Sequence, residues 1–395
     1  MSKQLIFLLL VLVATTPLPA DDPIPRPHPV PAPSAETLEK SILRGVDFLV
    51  QRQNKDGSWG TARRTKNLNI GAPAPGSHLS FRAGTTSLAV LALLECGDSR
   101  PAVTEAIDRG EAWLLLHLPK VRRGSAGVNF NVWAHGFGIQ ALARMHARDP
   151  NDQKRRAQIE QVIVQQIDML KRNEYVGGGW GYYNFDYNTA KPVKMMTGFT
   201  SATVLIALAD AREIGIEVPK ELTELGIASL RRIRKPDFSY LYHEGHDVRP
   251  MSPVDRPGGS LGRSQVCNLA LRMWGDAKIT DQVMIDWLDR LFARNLWLDM
   301  GRKRPVPHES YFQVAGYLYN YGHYYAARCI QQLPEDQQPR LQSHLATVVM
   351  RHQDGDGCWW DFPLPETLLK RPAQVGDGNL WIPVQRTRHC RNKCG

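Results

Sequence analysis

The segment Gln53-Asn54-Lys55-Asp56-Gly57-Ser58-Trp59 returns 300 residues later as Gln353-Asp354-Gly355-Asp356-Gly357-Cys358-Trp359, and a partial copy, Gly178-Gly179-Trp180-Gly181, lies between them. The intervals from Trp59 to Trp180 (121 residues) and from Trp180 to Trp359 (179) are near two and three multiples of a period of about 60. A fixed period means that each unit buries its apolar face against its neighbours. One repeat architecture can therefore hold a chain of 395 residues without separate cores.

Between the turns two kinds of helix alternate. The segment 36–53 is amphipathic, with Ile42, Val46, Leu49 and Val50 at helical spacing. The segment 85–94 is apolar nearly all round and ends at Cys96-Gly97, which implies cover on every side. The same alternation runs through 104–118 and 131–147, 157–172 and 197–212, 221–234 and 261–274, 280–296 and 310–329, and finally 337–352. These eleven helices, charged ones outside and apolar ones inside, describe two concentric layers. Six such hairpins close into an all-α α6-α6 toroid, an alpha/alpha barrel; a straight solenoid is the open alternative. After Leu369 no long apolar stretch precedes Gly395, so the last inner helix is missing or irregular.

The N-terminus has a charged start, the apolar run Leu5 to Val13 and a small residue at Ala20, the layout of a secretory signal peptide over residues 1–20. The mature chain is expected to be exported, periplasmic or extracellular. Residues 21–35 read as a Pro-rich linker, 36–370 as the repeat toroid and 371–395 as an irregular C-terminal tail. No later segment approaches membrane-spanning length, so no transmembrane helix is expected after cleavage. The net charge of +10 is dispersed and no nucleic-acid motif accompanies it, so no nucleic acid is expected as a partner. Cys96, Cys267 and Cys329 read as small hydrophobes. Cys390 and Cys394 could pair locally, since export permits disulfides.

The pattern Arg44-Gly45-x-x-Phe48-Leu49-x-x-x-Gln53-x-x-x-Gly57-x-Trp59 resembles the QW motif of the squalene-hopene cyclase and oxidosqualene cyclase family, whose repeats also occur in protein prenyltransferase beta subunits. The resemblance covers about residues 36–370. It is specific in the first and last repeats, partial in the third, worn in the fourth at Asp237-Phe238-Ser239-Tyr240, and lost in the second and fifth. It implies an α6-α6 toroid of the terpenoid cyclase and prenyltransferase superfamily, with a central cavity for a hydrophobic or isoprenoid-derived small molecule or lipid. The motif itself reads as a staple between repeats.

The catalytic motifs of that superfamily do not carry over: the Asp-x-Asp-Asp acid motif and the Asp-Asp-x-x-Asp magnesium cluster are absent. Asp356-x-Cys358 matches a zinc triplet in letters but lies inside the tryptophan turn. Asp354-x-Asp356-Gly357 begins like a calcium loop, whose twelfth-position glutamate is replaced by Pro365. No metal site, cofactor or protein partner is assigned.

Aligned by their small and apolar residues, the second helices place Thr86, His135, Ser201, Ser264 and Gln313 at equivalent positions near their N-termini, toward the mouth of a toroid. Asn131, Arg263, Gln265, His308 and Glu309 are adjacent. The catalytic candidates are His135, whose imidazole exchanges a proton near neutral pH, and Glu309. The ligand-binding candidates are Asn131, Trp133, Ser201, Arg263, Ser264 and Gln313. Trp133, Phe137, Phe199, Tyr311, Phe312, Tyr317, Tyr321 and Tyr324 line the inner helices, and the Gly/Pro-rich insertions 184–196 and 239–262 form one rim. Three readings follow: a toroid binding a hydrophobic ligand, a polysaccharide lyase-like α/α toroid with Arg263, Asn131 and His135 in its roles, and a non-catalytic interaction scaffold.

Overall fold

A computed structural model describes residues 24–60, 75–184, 189, 191–193, 195–250, 252–302 and 314–359. They form twelve α-helices: α1 (Ala35–Arg52), α2 (Pro75–Cys96), α3 (Pro101–His117), α4 (Asn131–Arg148), α5 (Gln153–Arg172), α6 (Gly198–Glu213), α7 (Lys220–Arg232), α8 (Leu261–Met273), α9 (Asp281–Ala293), α10 (Asn295–Arg302), α11 (Tyr319–Gln331) and α12 (Gln338–Met350). Among the described residues the only β pairings are isolated bridges. The segment 1–20 expected as a signal peptide and the tail 371–395 lie outside them.

Local chemistry starts the outer helices. Ser34 Oγ accepts the Thr37 N–H at 3.2 Å ahead of α1, Asp152 accepts that of Arg155 at 2.9 Å ahead of α5, and Thr280 accepts that of Val283 at 3.3 Å ahead of α9. Each satisfies an amide that the first helical turn leaves open. On α5 the buried side chains Ile159, Val162, Ile163, Gln166, Ile167 and Leu170 follow the helical period and leave a solvent face. On α6 thirteen of the sixteen residues are buried, from Gly198 to Ala211, so α6 is enclosed.

Helices α2, α4, α6, α8 and α11 pack each on the next as an inner layer, with α1, α3, α5, α7, α9 and α12 outside. The outer layer closes where α12 meets α1. This is the all-α, α/α toroid architecture expected from the repeat. The sixth inner position follows Trp359 and lies outside the described residues.

The tryptophan turns make the same joint three times. The indole N–H of Trp59, Trp180 and Trp359 donates to the carbonyl ten residues earlier, of Leu49, Leu170 and Val349, at 2.8, 2.8 and 2.9 Å. The ring then lies against a glycine of the next outer helix: a Cβ on Gly110, Gly226 or Gly45 would stand 2.8, 3.0 or 3.3 Å from it. The turn glycines Gly57, Gly178 and Gly357 have φ of 88, 87 and 89°, and a Cβ there would meet the carbonyl oxygen of Arg109, Leu225 or Arg44 at 2.5, 2.4 or 2.1 Å. Both the φ and the close approach require glycine. The third joint is the ring closure, because Gly45 belongs to α1. There the Gln353 amide donates to the Ser41 carbonyl at 2.8 Å and accepts from Ser41 Oγ and Arg44 at 2.7 and 2.6 Å. The expected staple is thus present, and its glutamine holds a backbone carbonyl of the next outer helix.

The fourth turn is indeed a worn copy. Ser239 donates to Asp237 as Ser58 does to Asp56, and Phe238 holds φ of 60° in the place of the glycine. The tryptophan is moved to the other partner: Trp287 of α9 donates its indole N–H to the Asp237 carbonyl at 2.9 Å.

Three boundaries differ most from the sequence reading. The segment expected as one helix over 280–296 breaks at Arg294, and α10 continues as a separate piece. Helix α2 begins ten residues earlier than its apolar run, at Pro75. Near the helix expected over 310–329, regular α geometry starts at Tyr319 after a 3-10 turn (Ala315–Leu318), because Gly316 sits against the backbone of α10; a Cβ there would be 2.4 Å from the Gly301 oxygen. The stretch Gly76–Cys96 is long and apolar enough to cross a membrane, but here it is the inner helix α2, packed on α1, α3 and α4.

Candidate functional site

At mid-height the lumen is crossed by side chains of α11. Tyr321 Oη bonds Thr203 Oγ1 at 2.8 Å and donates to the Phe199 carbonyl of α6 at 2.9 Å, and Tyr325 lies 3.4 Å from Thr203 Oγ1 and 3.3 Å from Gln140 Nε2. One turn on, Arg328 grips Asp210 of α6 with two bonds of 3.0 and 2.7 Å and reaches Gln140 of α4 at 3.1 Å. The methylene stem of Arg328 and the two tyrosine rings thus span the axis and end in satisfied polar groups, which is how a packed centre tolerates them. The expected central cavity is filled at this level.

Above this plug, toward the N-termini of the inner helices, aromatic rings gather. Trp133 has its ring centroid 5.8 Å from Phe199, 5.9 Å from Phe137, 6.5 Å from Tyr182 and 6.5 Å from Tyr321. Phe199 continues to Tyr242 at 5.5 Å, and the Tyr182 and Tyr242 hydroxyls bond each other. Trp133 and Phe199 are buried, whereas Tyr182, Tyr183, Tyr242 and Tyr317 are half-buried. The mouth is therefore a floor of apolar rings rimmed by tyrosines. Burial raises the tyrosine pKa values, that of Tyr183 to about 12, so the hydroxyls stay protonated at neutral pH.

The insertion after the fourth turn closes one side of this mouth. Asp255 is fully buried, accepts the Tyr242 N–H on Oδ1 at 2.6 Å, and holds His246 Nδ1 on Oδ2 at 2.6 Å. The His246 ring lies 6.1 Å from that of Tyr242 and 3.9 Å from that of His243. Burial, with the neighbouring His246 second, pushes His243 down to about 4, so it is neutral at pH 7. Arg263, fully buried, stacks beneath Tyr242 with its guanidinium 5.3 Å from the ring and donates to the Val254 and Tyr240 carbonyls. A buried carboxylate fixing an imidazole beside protonated phenols can orient a base next to hydrogen-bond donors.

The structure unites some of the sequence candidates and separates others. Trp133 and Arg263 share this aromatic cluster, joined through Phe199 and Tyr242. His135 sits two residues from Trp133 and so projects to the opposite side of α4, between the layers. Its Nδ1 meets Gln166 Oε1 of α5 at 2.7 Å and its Nε2 meets Asn131 at 3.3 Å, away from the mouth. Burial pushes its pKa down to about 4. Asn131 is buried with it. Ser201 Oγ accepts the Trp180 N–H at 2.8 Å and donates into its own turn, Thr86 accepts the Trp59 N–H at 3.0 Å, and Ser264 donates to the Ser260 carbonyl at 3.0 Å. The shared position near the inner-helix starts is thus used by Thr86 and Ser201 to pin the tryptophan turn. Glu309 and Gln313, with His308, Tyr311 and Phe312, lie outside the described residues. Asp354, Asp356 and Cys358 bring ligand-type atoms within 4.8 Å of one another, yet Asp356 receives the Cys358 N–H at 3.3 Å as Asp56 receives that of Ser58.

Tyr182, Tyr242, His246 and Asp255 were not singled out from the sequence. The available signal was the density of Tyr240-Leu241-Tyr242-His243-Glu244-Gly245-His246 inside the 239–262 insertion, already marked as rim.

No family model and no curated protein matches this chain. Among solved structures, an inactive variant of the α-1,6-mannanase of Salegentibacter sp. HEL1_6, in complex with α-1,6-mannotriose, is 10% identical with a TM-score of 0.52, over 82% of this chain and 93% of that one. Cellobiose 2-epimerase from Spirochaeta thermophila DSM 6192 is 18% identical with a TM-score of 0.49, over 84% and 90%. A type II terpene cyclase from Scytonema is 16% identical with a TM-score of 0.44, over 83% and 82%. The mannanase likeness is one of fold and supports the α/α toroid; the resemblance to terpenoid cyclases stands at that coarser level.

Proposed function

We propose that this toroid binds a carbohydrate at the aromatic mouth of its inner layer. The observation that carries the reading is the set of half-buried tyrosines, Tyr182, Tyr183, Tyr242 and Tyr317, over the buried rings of Trp133 and Phe199. A sugar ring has an apolar C–H face and a hydroxyl edge, and amphipathic rings with protonated hydroxyls complement both. A hydrocarbon ligand instead calls for an enclosed apolar pocket. The middle of the described lumen is occupied by the bonded side chains of Tyr321, Tyr325 and Arg328, which weighs against that alternative.

Affinity electrophoresis through gels holding neutral or uronate-bearing polysaccharides tests the reading. Retardation by at least one polymer is expected, and Tyr183→Ala, at the rim, should weaken it about tenfold or more, since removing one stacked ring forfeits on the order of 1–2 kcal/mol. Migration unaffected by every polymer would refute it.

A further inference from the structure

Binding a sugar does not require the pair formed by Asp255 and His246, and the toroid scaffold does not call for it. Asp255 has one oxygen on the Tyr242 N–H and the other on His246 Nδ1, both at 2.6 Å. A carboxylate on Nδ1 fixes the proton there and leaves Nε2 as the basic atom. The His246 side chain is 26% exposed, and no described group bonds its Nε2. Beside it, the Tyr182–Tyr242 hydroxyl pair has two protons and one internal bond, so one O–H is left to donate. The base and the donor pair are thus carried by neighbouring rings, those of His246 and Tyr242, whose centroids are 6.1 Å apart.

The surroundings choose among the reactions open to such a pair. Glycosidic hydrolysis uses two carboxyl groups. Among the described residues of this mouth Asp255 is fully engaged, Glu244 pairs with Arg232 at 2.5 Å and Asp247 caps the Val248 N–H at 2.7 Å. Elimination next to a uronate needs a group that neutralises the carboxylate; of the two cast in that role, Arg263 is committed to two carbonyls beneath Tyr242 and Asn131 is buried against His135, away from the mouth. Ester hydrolysis needs only a base for water and a donor for the oxyanion.

We propose that His246, oriented by Asp255, is the general base of an esterase activity that removes an acyl group from the bound sugar. Water attacks the ester carbonyl carbon as His246 Nε2 takes its proton, and the carbonyl π pair moves onto oxygen, toward the free O–H of the tyrosine pair. Collapse re-forms the C=O and breaks the bond to the sugar oxygen, which recovers the proton from the imidazolium. One water is consumed; a carboxylic acid and a free sugar hydroxyl are released, with no redox partner. His246 is the catalytic residue and Asp255 a positioning residue. The proposal rests on the carbohydrate reading above.

The test incubates the purified chain with O-acetylated polysaccharides, acetylated xylan, mannan and pectin, and measures released acetate, while binding to the chemically deacetylated polymers is measured separately. Release is expected from at least one polymer. His246→Gln should lose about 10²-fold or more of the rate with binding unchanged. Asp255→Asn should lower kcat while leaving KM, the melting temperature and the circular dichroism spectrum near those of the unaltered chain. Binding without acetate release, equal release by His246→Gln, or an unsaturated sugar product in place of acetate would overturn the esterase step while leaving the carbohydrate reading intact. Absence of binding to every polymer would overturn both.

Discussion

At the scale of single residues, the inner layer keeps two of its histidines neutral. His135 and His323 are buried, each bonded at both ring nitrogens, and burial pushes each down to about 4 from the ordinary 6.5. The unfolded chain binds protons that the folded one refuses between those values, so stability is complete above pH 6.5 and is lost as pH falls toward 4. Denaturant melts at pH 7 and pH 5 should show a fall in stability for the unaltered chain and a smaller fall for His135→Gln, which keeps polar partners for Asn131 and Gln166 without a titrating ring. The turn glycines act by shape. Gly357→Ala places a methyl against the Arg44 carbonyl at a φ of 89° and should cost about 1–3 kcal/mol or more, read as a drop in the urea midpoint. Phe238 carries the same left-handed backbone in the fourth turn, where Trp287 takes over the packing, so the sequence showed the wear of that copy but not its compensation on another helix.

At the scale of elements, the eleven helices were legible because outer helices repeat an apolar stripe and inner helices have none, a pattern set by burial on one side or on all. What periodicity does not carry is direction around an inner helix. His135 and Trp133 look alike as residues near an N-terminus, yet two residues of helix turn one toward Gln166 and the other toward Phe199. The Asp255–His246 contact was hidden for a different reason: it forms within an irregular insertion, where spacing in sequence sets no geometry. The plug across the lumen joins α11 to α4 and α6, and its strongest link is Arg328 with Asp210, side chains 16% and 12% exposed. Removing one partner leaves the other charge largely desolvated. Arg328→Ala should therefore cost about 3–5 kcal/mol in a thermal or urea melt, well beyond a surface ion pair. Trp180→Ala, which empties a fully buried ring site between α5, α6 and α7, should cost a similar 3–5 kcal/mol or so.

At the scale of the whole molecule, one joint used three times turns a row of hairpins into a ring, and its last use ties residue 353 to residue 41. Gln353→Ala should loosen that seam while leaving the other two joints as they are, so hydrogen exchange should rise at α1 and α12 and stay unchanged at α6. With the outer ring closed and the middle of the described lumen filled, the mouth at the inner-helix N-termini is the site proposed for carbohydrate, on the strength of its rings and hydroxyls. The most direct measurement is native mass spectrometry of the purified chain after exposure to a mixture of oligosaccharides and a lipid extract. Bound oligosaccharide, weakened by Tyr183→Ala, is the expected result; a retained apolar lipid with no oligosaccharide bound would contradict the carbohydrate reading and return the site to the hydrophobic ligand of the terpenoid-cyclase resemblance.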